Sequence, residues 1–111
     1  MKNRIYIVGM GPGKEEMMTA QAIRALEESD VIIGYPVYLN LLGERFSGKE
    51  FLSTPMRQET RRCQMCFEEA KKGKTVSMVC SGDAGIYGMA SLLFELGKEE
   101  PETELEVIPG I

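Results

Sequence analysis

The chain contains no histidine and only three cysteines among its 111 residues. A structural zinc site needs four ligands, drawn mainly from cysteine and histidine, so these residue types cannot complete one. An odd number of cysteines without a secretion signal also argues against a disulfide framework, and we expect reduced thiols. The sequence therefore predicts no metal site of its own.

Basic charge and long apolar runs are scarce as well. The 13 basic and 17 acidic residues give a net charge of −4, which disfavours a protein that binds nucleic acid by neutralising its phosphates. No apolar stretch approaches about 18 residues, and the amino terminus enters a strand without a charged and apolar leader. We therefore expect a cytoplasmic protein that binds neither nucleic acid nor a membrane.

Short apolar runs that alternate with amphipathic segments make up most of the chain. The runs predict strands at 4–9, 31–34, 50–53, 75–80 and 105–108, and the amphipathic segments predict helices at 19–29, 39–46, 59–72 and 87–97. Strands and helices that alternate at this spacing indicate an α/β fold with three layers. The expected architecture is one domain with a mostly parallel five-stranded sheet flanked by helices.

Two glycine-rich segments each follow a predicted strand. The first spans 9–13, and the second, spanning 80–90, has three glycines within seven residues. Glycine lets the backbone approach a ligand closely, and a parallel sheet places its binding crevice just past the carboxyl ends of its strands. The two segments are therefore predicted to share one edge of the sheet and to form the site. The alternative for each is a strand-to-helix turn that binds nothing.

The first glycine-rich segment is similar to two phosphate-binding motifs but completes neither. A dinucleotide fingerprint needs a glycine where Lys14 stands. The Walker motif needs Ser or Thr where Glu15 stands, and a glycine at Val8. Pro12 also removes a backbone donor that a pyrophosphate would need. A nucleotide-binding α/β module is therefore kept as an alternative function.

Asp83 and a pair of cysteines each have two interpretations. Asp83 lies between glycines, where its carboxylate caps the following helix or faces a ligand.

Cys63 and Cys66 have the spacing of a redox pair, but they fall inside a predicted helix on its apolar face. A redox pair is expected at a helix amino terminus instead, so the pattern favours core packing for these cysteines.

Five segments in order resemble the tetrapyrrole methylase family, at 8–13, 30–35, 54–59, 81–90 and 107–111. The resemblance extends from residue 4 to residue 111, and the run at 81–90 is similar to members that methylate C17 of a precorrin. It implies that residues 1–111 are the N-terminal α/β domain of a two-domain enzyme, with the C-terminal domain absent. The full-length enzyme is expected to be a homodimer.

The resemblance also implies an activity and a cofactor. The activity is S-adenosylmethionine-dependent methylation of precorrin-3B or its cobalt form at C17, with ring contraction, in cobalamin biosynthesis. The cofactor would lie between the two domains, against Pro12, Ser81, Gly82, Asp83 and Ile86 and largely on their backbone groups. Further cofactor contacts would belong to the second domain. We therefore expect residues 1–111 to be inactive without it. A non-catalytic dimerisation domain is the second alternative.

The substrate contacts implied are Tyr35, Tyr38 and Arg57. Both tyrosines follow the second predicted strand at the same edge as the glycines, and Arg57 would pair with substrate carboxylates. From the residues alone, Arg57, Arg61 and Arg62 are predicted to form a solvated helix end, with anion binding as the alternative. Members that methylate uroporphyrinogen have an aspartate, proposed as a proton acceptor, where this sequence has Tyr35. A neutral tyrosine, with a pKa of about 10, is a poor base at pH 7. The catalytic base is therefore left unassigned.

Overall fold

A computed structural model describes residues 3–10, 19–42, 46, 48–54 and 58–108, and for Met10, Leu41 and 81–87 it describes the backbone alone. Strands and helices alternate throughout these residues. The strands are β1 (Asn3–Met10), β2 (Val31–Ile33), β3 (Glu50–Leu52), β4 (Thr75–Ser81) and β5 (Thr103–Ile108). The helices are α1 (Ala20–Glu28), α2 (Pro36–Leu42), α3 (Glu59–Lys71) and α4 (Gly82–Gly97).

The five strands form one sheet in the order β3-β2-β4-β1-β5, and every neighbouring pair is parallel. The predicted parallel α/β fold is confirmed. Strand β1 lies between β4 and β5, and its Ile5, Ile7 and Val8 are fully buried. An almost unbroken apolar run is what a strand covered on both faces requires.

Each face of the sheet has its own apolar core. The connections from β1 through β2 to β3 move toward one edge, and those through β4 to β5 return toward the other. Right-handed crossovers therefore place α1 and α2 on one face and α3 and α4 on the opposite face. Side chains alternate accordingly: Ile5 and Ile7 pack with α3 and α4, whereas Tyr6 and Val8 pack with α1.

Helices α1 and α3 agree closely with their predicted bounds. The Thr19 side chain caps α1 by accepting a hydrogen bond from the backbone N–H of Ala22 at 3.1 Å. Just beyond α3, Gly73 has a φ of 89°, which glycine adopts at a helix carboxyl end without steric cost. None of the helices in the described ranges is long and apolar enough to cross a bilayer.

Two helices begin earlier than the sequence predicts. Helix α2 starts at Pro36 and ends at Leu42, because proline suits the first helical position, where its missing N–H costs nothing. Helix α4 starts at Gly82, directly after β4, so the predicted glycine-rich loop is wrong. Each glycine in a helix lowers its stability by about 1 kcal/mol relative to alanine. Packing farther along α4, where Leu93 is fully buried, offsets this loss.

Candidate functional site

The carboxyl ends of β1 and β4 meet at the point where the direction of the chain connections reverses. These strands are neighbours, and the helices that follow them, α1 and α4, lie on opposite faces of the sheet. Such a reversal leaves a crevice outside the strand ends, where α/β proteins bind ligands. The register pairs Gly9 with Cys80 and Met10 with Ser81. The two glycine-rich segments therefore start side by side, as predicted.

Four of the five predicted cofactor residues lie on the β4 side of this crevice. Ser81 ends β4, and Gly82, Asp83 and Ile86 belong to the first turns of α4. Asp83 is one residue inside the helix, not in a loop before it. The backbone N–H groups of a first helical turn have no partner within the helix and carry partial positive charge. Pro12 lies outside the described residues.

Tyr35 lies at the same edge of the sheet, directly after β2. Its hydroxyl donates a hydrogen bond to Oε1 of Glu59, in the first turn of α3, at 3.2 Å. The ring centroids of Tyr35 and Tyr38 are 6.2 Å apart, and the ring planes are tilted by 40°. The structure thus brings both predicted tyrosines together. Arg57, the predicted cation, lies outside the described residues.

Arg62 provides a positive charge that the sequence predicts to lie at a solvated helix end, with anion binding as the alternative. It is 4% exposed, and its guanidinium carbon lies 3.9 Å from the centroid of the Tyr35 ring. Its Nη1 donates to the Thr54 hydroxyl at 3.2 Å. A solvated end for Arg62 is therefore wrong. The signal in the sequence is its position one turn before Cys66, on the apolar stripe of α3.

The site thus has two neighbouring parts at one edge of the sheet. The β1 and β4 ends with the start of α4 form one part. Tyr35, which contacts α3, and its neighbour Tyr38 form the other. A sequence profile of the tetrapyrrole (corrin/porphyrin) methylases matches residues 4–111. The chain belongs to the tetrapyrrole methylase family.

Two curated relatives of this tetrapyrrole methylase are named as methyltransferases of cobalt-factor III. The cobalt-factor III methyltransferase of Priestia megaterium is 44% identical over 116 residues, which cover 100% of this chain and 22% of that protein. A probable cobalt-factor III C(17)-methyltransferase of Salmonella typhimurium is 42% identical over 108 residues, covering 96% of this chain and 45% of the relative. The chain therefore spans less than half the length of these relatives.

Solved structures of other methylases share the fold. The methyltransferase CobJ is 37% identical with a TM-score of 0.84, and the match covers 98% of this chain and 46% of that one. The uroporphyrin-III C-methyl transferase of Thermus thermophilus complexed with S-adenosylhomocysteine is 25% identical with a TM-score of 0.77. That match covers 97% of this chain and 48% of the Thermus chain. The fold is thus shared with other methylases of known structure.

The three cysteines of this tetrapyrrole methylase are buried free thiols. Cys63, Cys66 and Cys80 all belong to the core on the α3 and α4 face, which confirms core packing for the pair on α3. Burial raises the pKa of Cys63 to about 11 and that of Cys80 to about 12, and it raises the pKa of Cys66 well above the usual value. Within the described ranges, no group of three or more His, Cys, Asp or Glu residues is arranged to hold a metal ion.

The folded chain is expected to resist thiol reagents at pH 8. Only the thiolate is nucleophilic, and both burial and the raised pKa values keep these thiols protonated. Titration with Ellman's reagent should label fewer than one thiol per chain quickly under native conditions and all three in urea. Rapid labelling of Cys63 or Cys66 in the folded protein would instead support a redox pair.

The same pKa values predict a loss of stability at high pH. Unfolded thiols lose their protons near pH 9, whereas folded Cys63 keeps its proton to about pH 11. The unfolded state then binds fewer protons, so the free energy of unfolding falls as the pH rises between these values. Each thiol contributes a slope of up to about 1.4 kcal/mol per pH unit. Urea unfolding at pH 8, 9, 10 and 11 measures how the free energy of unfolding depends on pH. In Cys63→Ala this dependence should be smaller by the contribution of one thiol.

Proposed function

We propose that this chain is the amino-terminal domain of an S-adenosylmethionine-dependent methyltransferase that methylates precorrin-3B, or its cobalt form, at C17. The observation that carries the proposal is the crevice at β1 and β4 in a chain 42% identical to a probable cobalt-factor III C(17)-methyltransferase. The reaction belongs to cobalamin biosynthesis and is accompanied by ring contraction.

The proposed cofactor site uses backbone groups of the two glycine-rich segments. Pro12 lies on the β1 side, and Ser81, Gly82, Asp83 and Ile86 lie on the β4 side. S-adenosylhomocysteine bound to a family member of the same fold supports the choice of cofactor. The backbone N–H groups at the start of α4 have no partner within the helix, so they can donate hydrogen bonds to neutral acceptor atoms of the cofactor.

The proposed chemistry is one in-line displacement. Carbon C17 of the electron-rich macrocycle donates an electron pair to the sulfonium methyl group, and the carbon–sulfur bond breaks with its electrons staying on sulfur. The products are the methylated macrocycle and S-adenosylhomocysteine. Such a step depends on orientation and exclusion of water, which contribute about 7–11 kcal/mol when two reactants are well aligned. Tyr35, Tyr38 and Arg57 are the proposed substrate contacts.

A second domain is proposed to complete the enzyme. The chain covers 45% of the Salmonella relative and 46% of CobJ, so those proteins have room for another domain of similar size. The cofactor would bind between the two, and the complete protein would be a cytoplasmic homodimer. Under this proposal residues 1–111 bind the cofactor weakly and do not turn over substrate by themselves.

Calorimetric titration with S-adenosylhomocysteine tests the cofactor site. We expect weak binding to the chain, at least about tenfold weaker for Asp83→Ala, because the substitution removes a carboxylate proposed to pair with the positively charged amino group of the cofactor's methionine part. Asp30→Ala is the matched control, because Asp30 is the only other aspartate and its carboxylate accepts a hydrogen bond from the N–H of Thr75, at the opposite end of β4.

Three other results would contradict the proposed cofactor site or favour another function. Binding of NADH without S-adenosylhomocysteine would support the nucleotide-binding module. A stable dimer in analytical ultracentrifugation that binds neither ligand would support the non-catalytic dimerisation domain. Equal losses of affinity in Asp83→Ala and Asp30→Ala would show that stability, not the crevice, controls the titration.

A further inference from the structure

Arg62 is a buried cation held by an aromatic ring and a hydroxyl. It is 4% exposed, stacks 3.9 Å from the centre of the Tyr35 ring, and donates through Nη1 to Thr54. No ion pair between described residues includes it. Burying a charge is costly, and a guanidinium over an aromatic face recovers part of that cost. The Tyr35 ring and the Thr54 hydroxyl are thus described groups that stabilise the guanidinium in its buried position.

The first turn of α3 holds Tyr35 at two points. Arg62 covers one face of its ring, and Glu59, three residues earlier on the same helix, accepts the hydrogen bond from its hydroxyl at 3.2 Å. Because the hydroxyl has a single proton, this bond leaves the oxygen with lone pairs only, so it acts as an acceptor toward any other group. The contact on the ring face restricts the tilt of the ring, and the hydrogen bond restricts the position of its hydroxyl end.

The Tyr35 ring lies at the carboxyl edge of the sheet, beside the crevice. Strand β2, which it follows, pairs with β4, and β4 leads directly into α4. Tyr35 is half-buried, so part of its surface faces solvent at this edge. A flat ligand gains affinity from an aromatic surface that is already fixed, because less conformational freedom is lost on binding.

We propose that Arg62 is a positioning residue for the tetrapyrrole, and that it acts by fixing the ring of Tyr35. The proposal rests on the proposed function, in which Tyr35 contacts the macrocycle. It differs from a direct role, in which Arg62 binds a carboxylate of the macrocycle. Because Arg62 is 4% exposed, a direct role would require its guanidinium to become uncovered first.

A double-mutant cycle with a stable porphyrin tests this role. Uroporphyrin III is titrated with the chain while the shift of its Soret band is followed, for the wild type, Arg62→Met, Tyr35→Leu and the double variant. Arg62→Met keeps the length of the stem and removes the planar charge. We expect each single variant to bind about tenfold more weakly and the double variant to bind no more weakly than Tyr35→Leu. An Arg62 that acts through Tyr35 has no effect once the ring is gone.

Three further variants separate positioning from folding. Arg61→Met is the matched control, because Arg61 is the exposed neighbour that pairs with Glu68 at 2.9 Å, and it should bind like the wild type. Arg62→Lys keeps the charge without the planar group and should weaken porphyrin binding nearly as much as Arg62→Met. Tyr35→Phe keeps the stacked ring and should lose less than threefold. All folded variants should bind S-adenosylhomocysteine like the wild type.

The cycle has clear contrary outcomes. Losses that multiply in the double variant would overturn the proposal and indicate that Arg62 contacts the macrocycle itself. Porphyrin binding unchanged in Arg62→Lys and Arg62→Met would also overturn it. A wild-type chain that binds S-adenosylhomocysteine but no porphyrin would contradict a tetrapyrrole surface at Tyr35 while leaving the methyltransferase proposal standing. Loss of both ligands would contradict the proposed function as well.

Discussion

Replacing Leu93 by alanine is expected to lower the free energy of unfolding by about 2–5 kcal/mol. Leu93 is fully buried on α4, in the core that also contains Ile7, Cys66 and Phe67. The substitution removes apolar surface from that core and leaves a cavity that a close-packed interior fills only in part. Since small domains are stable by about 5–15 kcal/mol, this one change removes a large share of the total.

Urea unfolding followed by circular dichroism measures the loss, and the next residue provides the control. Phe94 is 50% exposed on the same helix, so Phe94→Ala should change the free energy of unfolding by less than about 0.5 kcal/mol, although it deletes more atoms. Equal losses at the two positions would mean that α4 does not pack on the sheet through Leu93. Because α4 begins at the crevice, Leu93→Ala should also weaken the binding of S-adenosylhomocysteine under conditions where part of the chain is unfolded.

Gly34→Ala is expected to cost about 1–3 kcal/mol, because an added methyl group overpacks a filled core. A Cβ at Gly34 would lie 2.5 Å from Cγ2 of Val79 and 3.3 Å from the Val79 carbonyl oxygen. The backbone cannot easily retreat, since the Gly34 N–H donates to the Leu52 carbonyl of β3 at 3.1 Å. Tyr35 is the next residue, so the shift that relieves the clash should also displace its ring.

A double-mutant cycle with Val79→Ala identifies the clash. Removing the Val79 methyl groups eliminates the 2.5 Å contact but leaves the carbonyl contact, so Gly34→Ala should cost less than half as much in that background. Gly88→Ala is the control, and it is expected to raise the free energy of unfolding. It lies within α4, and beyond its chain neighbours and the backbone of its own helix no atom of the described residues comes within 4 Å of its added Cβ. Alanine is favoured over glycine in helices by up to about 1 kcal/mol. A destabilising Gly88→Ala with a neutral Gly34→Ala would contradict this packing.

Most of the fold could be predicted from local pattern. The run around Ile7 is apolar on both faces, and the face of α3 that contains Cys66 and Ala70 repeats with helical spacing, so period and composition determine these elements before any packing is considered. The parallel sheet follows, because helices of this length between short strands act as crossovers. The predicted starts of α2 and α4 were wrong, because proline and glycine occur both in loops and in the first turn of a helix.

The amino-acid sequence by itself determined the strands, the amphipathic helices, the family and the edge of the sheet where the site lies, because each of these depends on the order and spacing of neighbouring residues. Only the tertiary structure decided that Arg62 is buried against Tyr35 and that Glu59 accepts the tyrosine hydroxyl. Those contacts join residues about 25 positions apart through the pairing of β2 and β3 and the placement of α3. No local pattern distinguishes a stacked arginine from a solvated one, since the difference arises from what the fold brings to its other side.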